Sequence, residues 1–485
     1  MSNSTRNTVI QNFAWRFAER CGAQLVTFLV SIVLARLLDP VAYGTIALIT
    51  VFTTILEVFI ESGLGNALIQ KKDADDLDFS TVFFANFAIC AVLYLLLFCA
   101  APFIASFYQR SEMTAMIRVL GLTLVISGVR NVQNAYISKN MLFKRFFFAT
   151  LSGTVSSAVF GILIAFNGGG VWALIAQSLI NNAIGTLVMW FSVNWRPRWQ
   201  FSFARLKRLY SFGWKLLCSS LIDSVYNNVR SLIIGKKYSS EDLGLYNKGN
   251  SWPNLFITVV NSSINSILFP AMSQVQDDVS RVKRMVRRSI KTCTYIIAPL
   301  MLGLCAVAEP LVRLILTEKW VECVPYLRIF AITYIFYPMN TANLSVIKSL
   351  GRSDLFMRLE IIKKTFGMVI LLCTMWFGVK VMAYGLLLAT VVNQIANAWF
   401  SKRLIGYSYF DQIKDIFPSI GLSLLMAAAV WGAPMLQLGD FATLVIQVGG
   451  GVLIYAAGSV LSKNKEFFYL LSIVKKTKAP KAKSS

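Results

Sequence analysis

The sequence contains no histidine. This removes the commonest general base and transition-metal ligand, and it excludes a His-dependent catalytic triad within the chain. No Gly-x-x-x-x-Gly-Lys-Ser/Thr segment is present, so no nucleotide-phosphate cradle is fused here. The eight cysteines stand singly, mostly within apolar runs and without a Cys-x-x-Cys pair. They read as small core residues rather than as a metal site or a disulfide framework. Charge is scarcest of all: 14% of 485 residues, against roughly 25% in soluble domains. From Phe146 to Trp195 there is no Asp, Glu, Lys or Arg in 50 consecutive residues, and only Asn167-Gly168-Gly169-Gly170 interrupts the run.

What is present is hydrocarbon-like: 56% of residues are hydrophobic. A bilayer offers the backbone no water partner, so spans must be helices or a closed barrel, and apolar runs of about 20 residues are helix length. The pattern predicts an all-α integral membrane protein with about 14 spans. They fall near 13–37, 42–69, 81–105, 114–137, 148–167, 171–193, 213–235, 250–273, 292–316, 325–347, 365–379, 382–401, 416–436 and 441–461, the eleventh unusually short.

A net charge of +24 in a soluble protein would suggest nucleic acid, but its distribution excludes that reading. Loops on one side of the expected membrane carry 32 Lys and Arg, those on the other side 6, and 9 lie within spans. This bias places both termini in the cytoplasm and the chain in the cytoplasmic membrane. The basic loop from Arg281 to Arg288 and the Lys-rich tail also suit anionic headgroups. The first span is too long for a cleavable signal peptide and begins with Arg16, Glu19 and Arg20, as a retained anchor does. Between spans every loop is under about 20 residues, which leaves no room for a folded catalytic domain. No catalytic residues, metal or cofactor are expected.

The start of the seventh span repeats that of the first. Phe13-Ala14-Trp15-Arg16 matches Phe212-Gly213-Trp214-Lys215, and Tyr43-Gly44 falls opposite Leu243-Gly244. A six-helix parallel duplication follows, with lobes at 1–200 and 201–405, two further helices at 406–462 and a basic tail at 463–485. Helical spacing then locates the polar faces. Arg16, Arg20, Gln24, Thr27 and Ser31 share one face of the first span, with Glu19 beside them, and Lys215, Ser219, Asp223, Asn227 and Arg230 share one face of the seventh. The second span carries Glu57 and Glu61, and the eighth carries Asn254, Thr258, Asn261 and Asn265. Such residues normally face a bundle interior or an aqueous cavity. The blander readings are snorkelling for the terminal cations, structural ion pairing for Asp223 and interhelical glue for the Asn stripe.

Phe17-Ala18-Glu19-Arg20, Leu34-Ala35-Arg36-Leu37-Leu38-Asp39-Pro40 and Tyr43-Gly44 give the chain its likeness to a known family. So do Gly244-Leu245-Tyr246-Asn247-Lys248, the segment Leu268 to Asp277, Ala308 to Val312, and Lys319-Trp320. The chain resembles bacterial polysaccharide exporters, Wzx-type flippases of the multidrug/oligosaccharidyl-lipid/polysaccharide superfamily, and within them the colanic acid and teichuronic acid exporters. The resemblance covers most of the first 350 residues; the last four spans match only in hydropathy. It implies two six-helix lobes around a V-shaped cavity, alternating access, and an undecaprenyl-diphosphate-linked oligosaccharide as substrate.

On that reading Arg16, Glu19, Arg20, Gln24, Lys215, Asp223, Asn227, Arg230, Asn254 and Asn261 line the substrate cavity, where the four cations Arg16, Arg20, Lys215 and Arg230 meet the anionic linker and Asn, Ser and Tyr of the second, seventh and eighth spans meet sugar hydroxyls. Asp223, Glu57 and Glu61 are the carboxylates placed to exchange an H⁺ or Na⁺ counter-ion. Further partners are membrane lipids and polysaccharide polymerase or export machinery, for exopolysaccharide, capsule or O-antigen synthesis. Two alternatives stay open: an organic-cation antiporter of the same superfamily, and a membrane glycosyltransferase or polymerase. Span-embedded cations (9) outnumber span-embedded acids (5), which favours an anionic cargo.

Overall fold

The computed structural model describes residues 22–71, 73–433 and 438–478. All regular structure among them is helical, with α1 at Gly22–Leu37 and α2 at Pro40–Ile60. A π-helical turn at Glu61–Gly65 links α2 to α3 (Asn66–Gln70). There follow α4 (Asp76–Phe107), α5 (Met113–Lys139), α6 (Phe143–Phe166), α7 (Val171–Ser192), α8 (Phe203–Lys237) and α9 (Ser240–Ser273). The chain continues through α10 (Val279–Leu316), α11 (Val324–Tyr334), α12 (Tyr337–Ser349), α13 (Ser353–Thr374), α14 (Val379–Ile405), α15 (Tyr409–Trp431), α16 (Asp440–Leu461) and α17 (Lys465–Lys478). Among the described residues, nine of these helices are long and apolar enough to cross a membrane: α2, α4 to α7, α10 and α14 to α16.

Where the expected spans lie on described residues they fall on helix, with four departures in detail, and 13–21 of the first and 434–436 of the thirteenth lie outside those residues. The tenth is broken into α11 and α12, because Pro338 enters α12 at its first turn and cannot donate to the helix before it. The short eleventh run is the end of a longer helix: α13 starts at Ser353, with Asp354 in its first turn, and runs 22 residues. Helices α8, α9 and α10 begin ten or more residues before their apolar runs, since a helix continues past the hydrocarbon wherever its polar turns are satisfied. The expected basic tail is helical over α17.

The chain forms two compact units, Met1–Gly244 and Leu245–Ser485. The division lies beyond the expected lobe boundary at 200, because α8 packs against α2 and the π-helical turn of the first unit. Helix ends nevertheless recur at the spacing of the sequence repeat. α1 ends at Leu37 and α8 at Lys237; α2 begins at Pro40 and α9 at Ser240.

In the first unit, Phe79, Phe83, Tyr136 and Trp195 build an aromatic core in which Phe79 and Trp195 lie 5.6 Å apart. At its polar end Asp75 caps α4 in a reciprocal capping box with Asp78, and Arg205 of α8 bonds Asp75 at 2.5 Å. Asp78 is fully buried and accepts from Lys71. Arg205 holds the Asp75 carboxyl well below the usual carboxylate range, at about 2.

At the other end α2 and the start of α9 touch backbone to backbone. A Cβ on Gly44 would overlap the Ser240 carbonyl, and one on Gly244 would overlap that of Pro40. In the second unit α10 is central, with two thirds of its apolar stretch buried. Val282, Val286 and Ile290 pack there with Met339, Tyr407 and Ile416.

Candidate functional site

A cavity of about 380 Å³ lies inside the first unit, within the ~300–1,000 Å³ of small-molecule sites. Its wall begins on α2 with Glu57 and continues through Glu61, the first residue of the π-helical turn. Such turns bond i→i+5 in place of i→i+4 and recur at functional sites. Here the side-chain amide of Asn131, on α5, donates to the Ile60 carbonyl. Gly65 permits this approach, since a Cβ there would stand 2.6 Å from Asn131 Oδ1.

The opposite wall is a stripe on α5. Ser127, Asn131, Asn134 and Ser138 advance by 4, 3 and 4 and all line the cavity, with Arg130 beside them. Arg130 Nη1 donates to Asn182 Oδ1 at 3.1 Å, and Asn182 Nδ2 in turn donates to the Ser178 carbonyl of α7 at 3.0 Å. One guanidinium, two carboxylates and several amides and hydroxyls thus converge at span depth. Charges there persist only where partners or water replace bulk solvation, so the cavity is built to hold water or a polar guest. A smaller cavity of about 190 Å³ is uncharged, lined by Thr27, Thr154, Ser157, Gln177, Ser178 and Asn181. No cluster of His, Cys, Asp and Glu fit for a metal ion occurs among the described residues.

Of the residues singled out in the sequence, Glu57 and Glu61 line the main cavity. Arg16, Glu19 and Arg20, and the side chain of Lys215, lie outside the described residues. Gln24, Asp223 and Asn227 are exposed and Arg230 is half-buried, all in the first unit. In the second unit Asn254 is exposed, whereas Asn261 accepts a hydrogen bond from Thr341 at 2.8 Å and so joins α9 to α12. The motif segments at Lys248 and Trp320 meet: the buried ammonium lies 5.5 Å from the indole centroid, a packing role.

Arg130, Asn131, Asn134 and Asn182 escaped the sequence reading. Arg130 counted only as one of nine span cations, although the stripe from Ser127 to Ser138 carries a signal of the same kind as Gln24 to Ser31. Also unforeseen is a polar seam in the second unit. Arg287 grips Asp415 with two bonds of 2.6 and 2.7 Å, Tyr407 donates to the same carboxylate at 2.8 Å, and Asn343 exchanges bonds with Gln412. These bonds join α10, α12 and α15.

Comparison with known proteins agrees with this architecture. The chain is 25% identical over 382 residues to the teichuronic acid biosynthesis protein TuaB of Bacillus subtilis, covering 78% of each chain. It is also 25% identical over 409 residues to the succinoglycan biosynthesis transport protein ExoT of Rhizobium meliloti, covering 83% of this chain and 80% of that one. Among solved structures, the lipid II flippase MurJ in an inward closed conformation superposes with a TM-score of 0.76 over 93% of this chain and 99% of its own, at 14% identity. That likeness is one of fold. Residues 33–325 match the model of one family, described as polysaccharide biosynthesis protein, and the chain belongs to it.

Proposed function

We propose that the protein is a flippase that carries an undecaprenyl-diphosphate-linked oligosaccharide from the cytoplasmic to the periplasmic leaflet by alternating access. It acts in exopolysaccharide, capsule or O-antigen synthesis and is not an enzyme. The observation that carries this reading is the hydrophilic cavity at span depth, set in a fold shared with a lipid flippase. Amides and hydroxyls on α5 and α7 offer both donors and acceptors to a glycan, and no nucleotide site supplies energy. Cycling then draws on an H⁺ or Na⁺ gradient, through Glu57 and Glu61 and through Asp223 on α8. The cations Arg16, Arg20, Lys215 and Arg230 meet the diphosphate, and the two repeat lobes at 1–200 and 201–405 rock about it. The protein lies in the cytoplasmic membrane with both termini inside, and hands its cargo to polymerase and export machinery.

One observation favours the second reading. Around the described cavity the two carboxylates outnumber the single guanidinium, an arrangement that suits an organic cation better than a diphosphate. Proteoliposomes separate the two. Gradient-driven movement of an undecaprenyl-diphosphate-linked glycan without movement of ethidium supports the flippase. The reverse result identifies an antiporter. Glu57→Gln should retain substrate binding and lose the response to the gradient, because the amide keeps the shape and cannot change charge.

A further inference from the structure

Helix α10 runs 38 residues, about 57 Å at 1.5 Å per residue, whereas the hydrocarbon core is only about 30 Å thick. Its first turns therefore stand at the headgroup level or beyond. Arg281, Arg284 and Arg288 advance by 3 and 4 on this protruding part, share one face and are all exposed.

A short connection after α16 brings α17 to the same place. Glu466 accepts a hydrogen bond from Thr292 at 2.7 Å and lies 3.9 Å from Lys291, and the Arg288 guanidinium stacks 3.4 Å above the Tyr469 ring. The first turns of α17 are thereby pinned to α10. Phe467, Leu470 and Leu471 recur at helical spacing beside Phe468, and Phe468 and Leu471 are exposed at 48% and 38%. Lys463 and Lys465 are exposed at its start. A short helix with an apolar side and a cationic rim, tethered to the end of a span, has the make-up of an interfacial helix.

We propose that α17 and the start of α10 form a binding site for anionic phospholipid headgroups, in which Arg281, Arg284 and Arg288 hold the phosphate while Phe468 and Leu471 dip among the acyl chains. Charge complementarity selects the occupant. Glu466 is the one acidic side chain among the described contacts between the two helices, and it is already engaged by Thr292 and Lys291. The site is independent of the cavity in the first unit and of what the protein transports.

The test titrates phosphatidylglycerol into full-length protein held in phosphatidylcholine mixed micelles and follows the melting temperature. The wild type should melt higher as phosphatidylglycerol is added. The variant R281Q/R284Q keeps the Arg288–Tyr469 stack and should need on the order of 30-fold more of the anionic lipid for the same shift, as loss of two interfacial cations implies. Raising salt from about 0.1 M to about 1 M, which shortens the Debye length from about 10 Å to about 3 Å, should erase the wild-type shift. This salt arm stands even if the variant does not fold. No shift with phosphatidylglycerol, an unchanged titration of R281Q/R284Q, or a shift that survives high salt would overturn the proposal. So would an equal shift produced by glycerol phosphate alone, which would mark a free-phosphate site.

Discussion

Asn131 combines two tasks on one side chain. Its amide nitrogen donates to the Ile60 carbonyl at the start of the π-helical turn, and the residue also lines the cavity. In Asn131→Ala the bond between α5 and the π-helical turn is lost, at a cost of about 0.5–1.5 kcal/mol. The variant should melt several degrees below wild type in detergent, while Asn134→Ala should melt close to it. At the polar end of the same unit, Asp75 gives a pH signature. Its folded carboxyl is depressed to about 2, below the unfolded value near 3.9, so its contribution is present above pH 4 and disappears as pH falls from about 4 to about 2. Asp75 is half exposed, which keeps the effect small. Melting curves over that window should fall less steeply for Asp75→Asn than for wild type, and parallel curves would remove the pair from the acid response.

At the scale of elements, hydropathy located nearly every helix because long uncharged runs have no other solution in hydrocarbon. It failed where polarity and helicity part company. The first turns of α10 carry six cations yet stay helical, since their apolar face of Val282, Val286 and Ile290 is buried. The same rule hid α17. The carboxylate half of the cavity was legible, since Glu57 and Glu61 stand out in an apolar run; the cationic half was not, because Arg130 gains meaning only when α7 brings Asn182 to it. Glycines that set helix contacts were visible as letters but not as contacts. Gly44→Ala should cost at least the upper part of the roughly 1–3 kcal/mol that overpacking exacts, because the overlap is with backbone and no side chain can move aside. Gly421→Ala meets nothing within 4 Å and should be neutral or slightly stabilising. Paired thermal melts of the two variants check this, and similar losses in both would show that α2 and α9 give way easily.

For the whole molecule, the orientation proposed above rests on the 32 basic residues on one side against 6 on the other. A reporter active only in the periplasm should stay silent when fused after Ser485 and give signal when inserted between Gly168 and Gly169, in the tight turn joining α6 to α7. Signal from the C-terminal fusion would reverse the assignment. The proposed parallel duplication rests on two short matches and on the even number of crossings that would return the seventh span to the orientation of the first. The compact units divide elsewhere, because α8 packs within the first unit.

The contact at Gly44 and Gly244 has the form of a homodimer interface. Pro40 faces Gly244 while Ser240 faces Gly44, so each position meets the counterpart of the other, as residues do across a two-fold axis. The two positions therefore share a single separation of backbones. Once Gly44→Ala has driven the helices apart, most of the room for a second methyl already exists. The double variant G44A/G244A should lose distinctly less stability than the sum of its parents, and strict additivity in the double-mutant cycle would mean that the two glycines answer to different constraints.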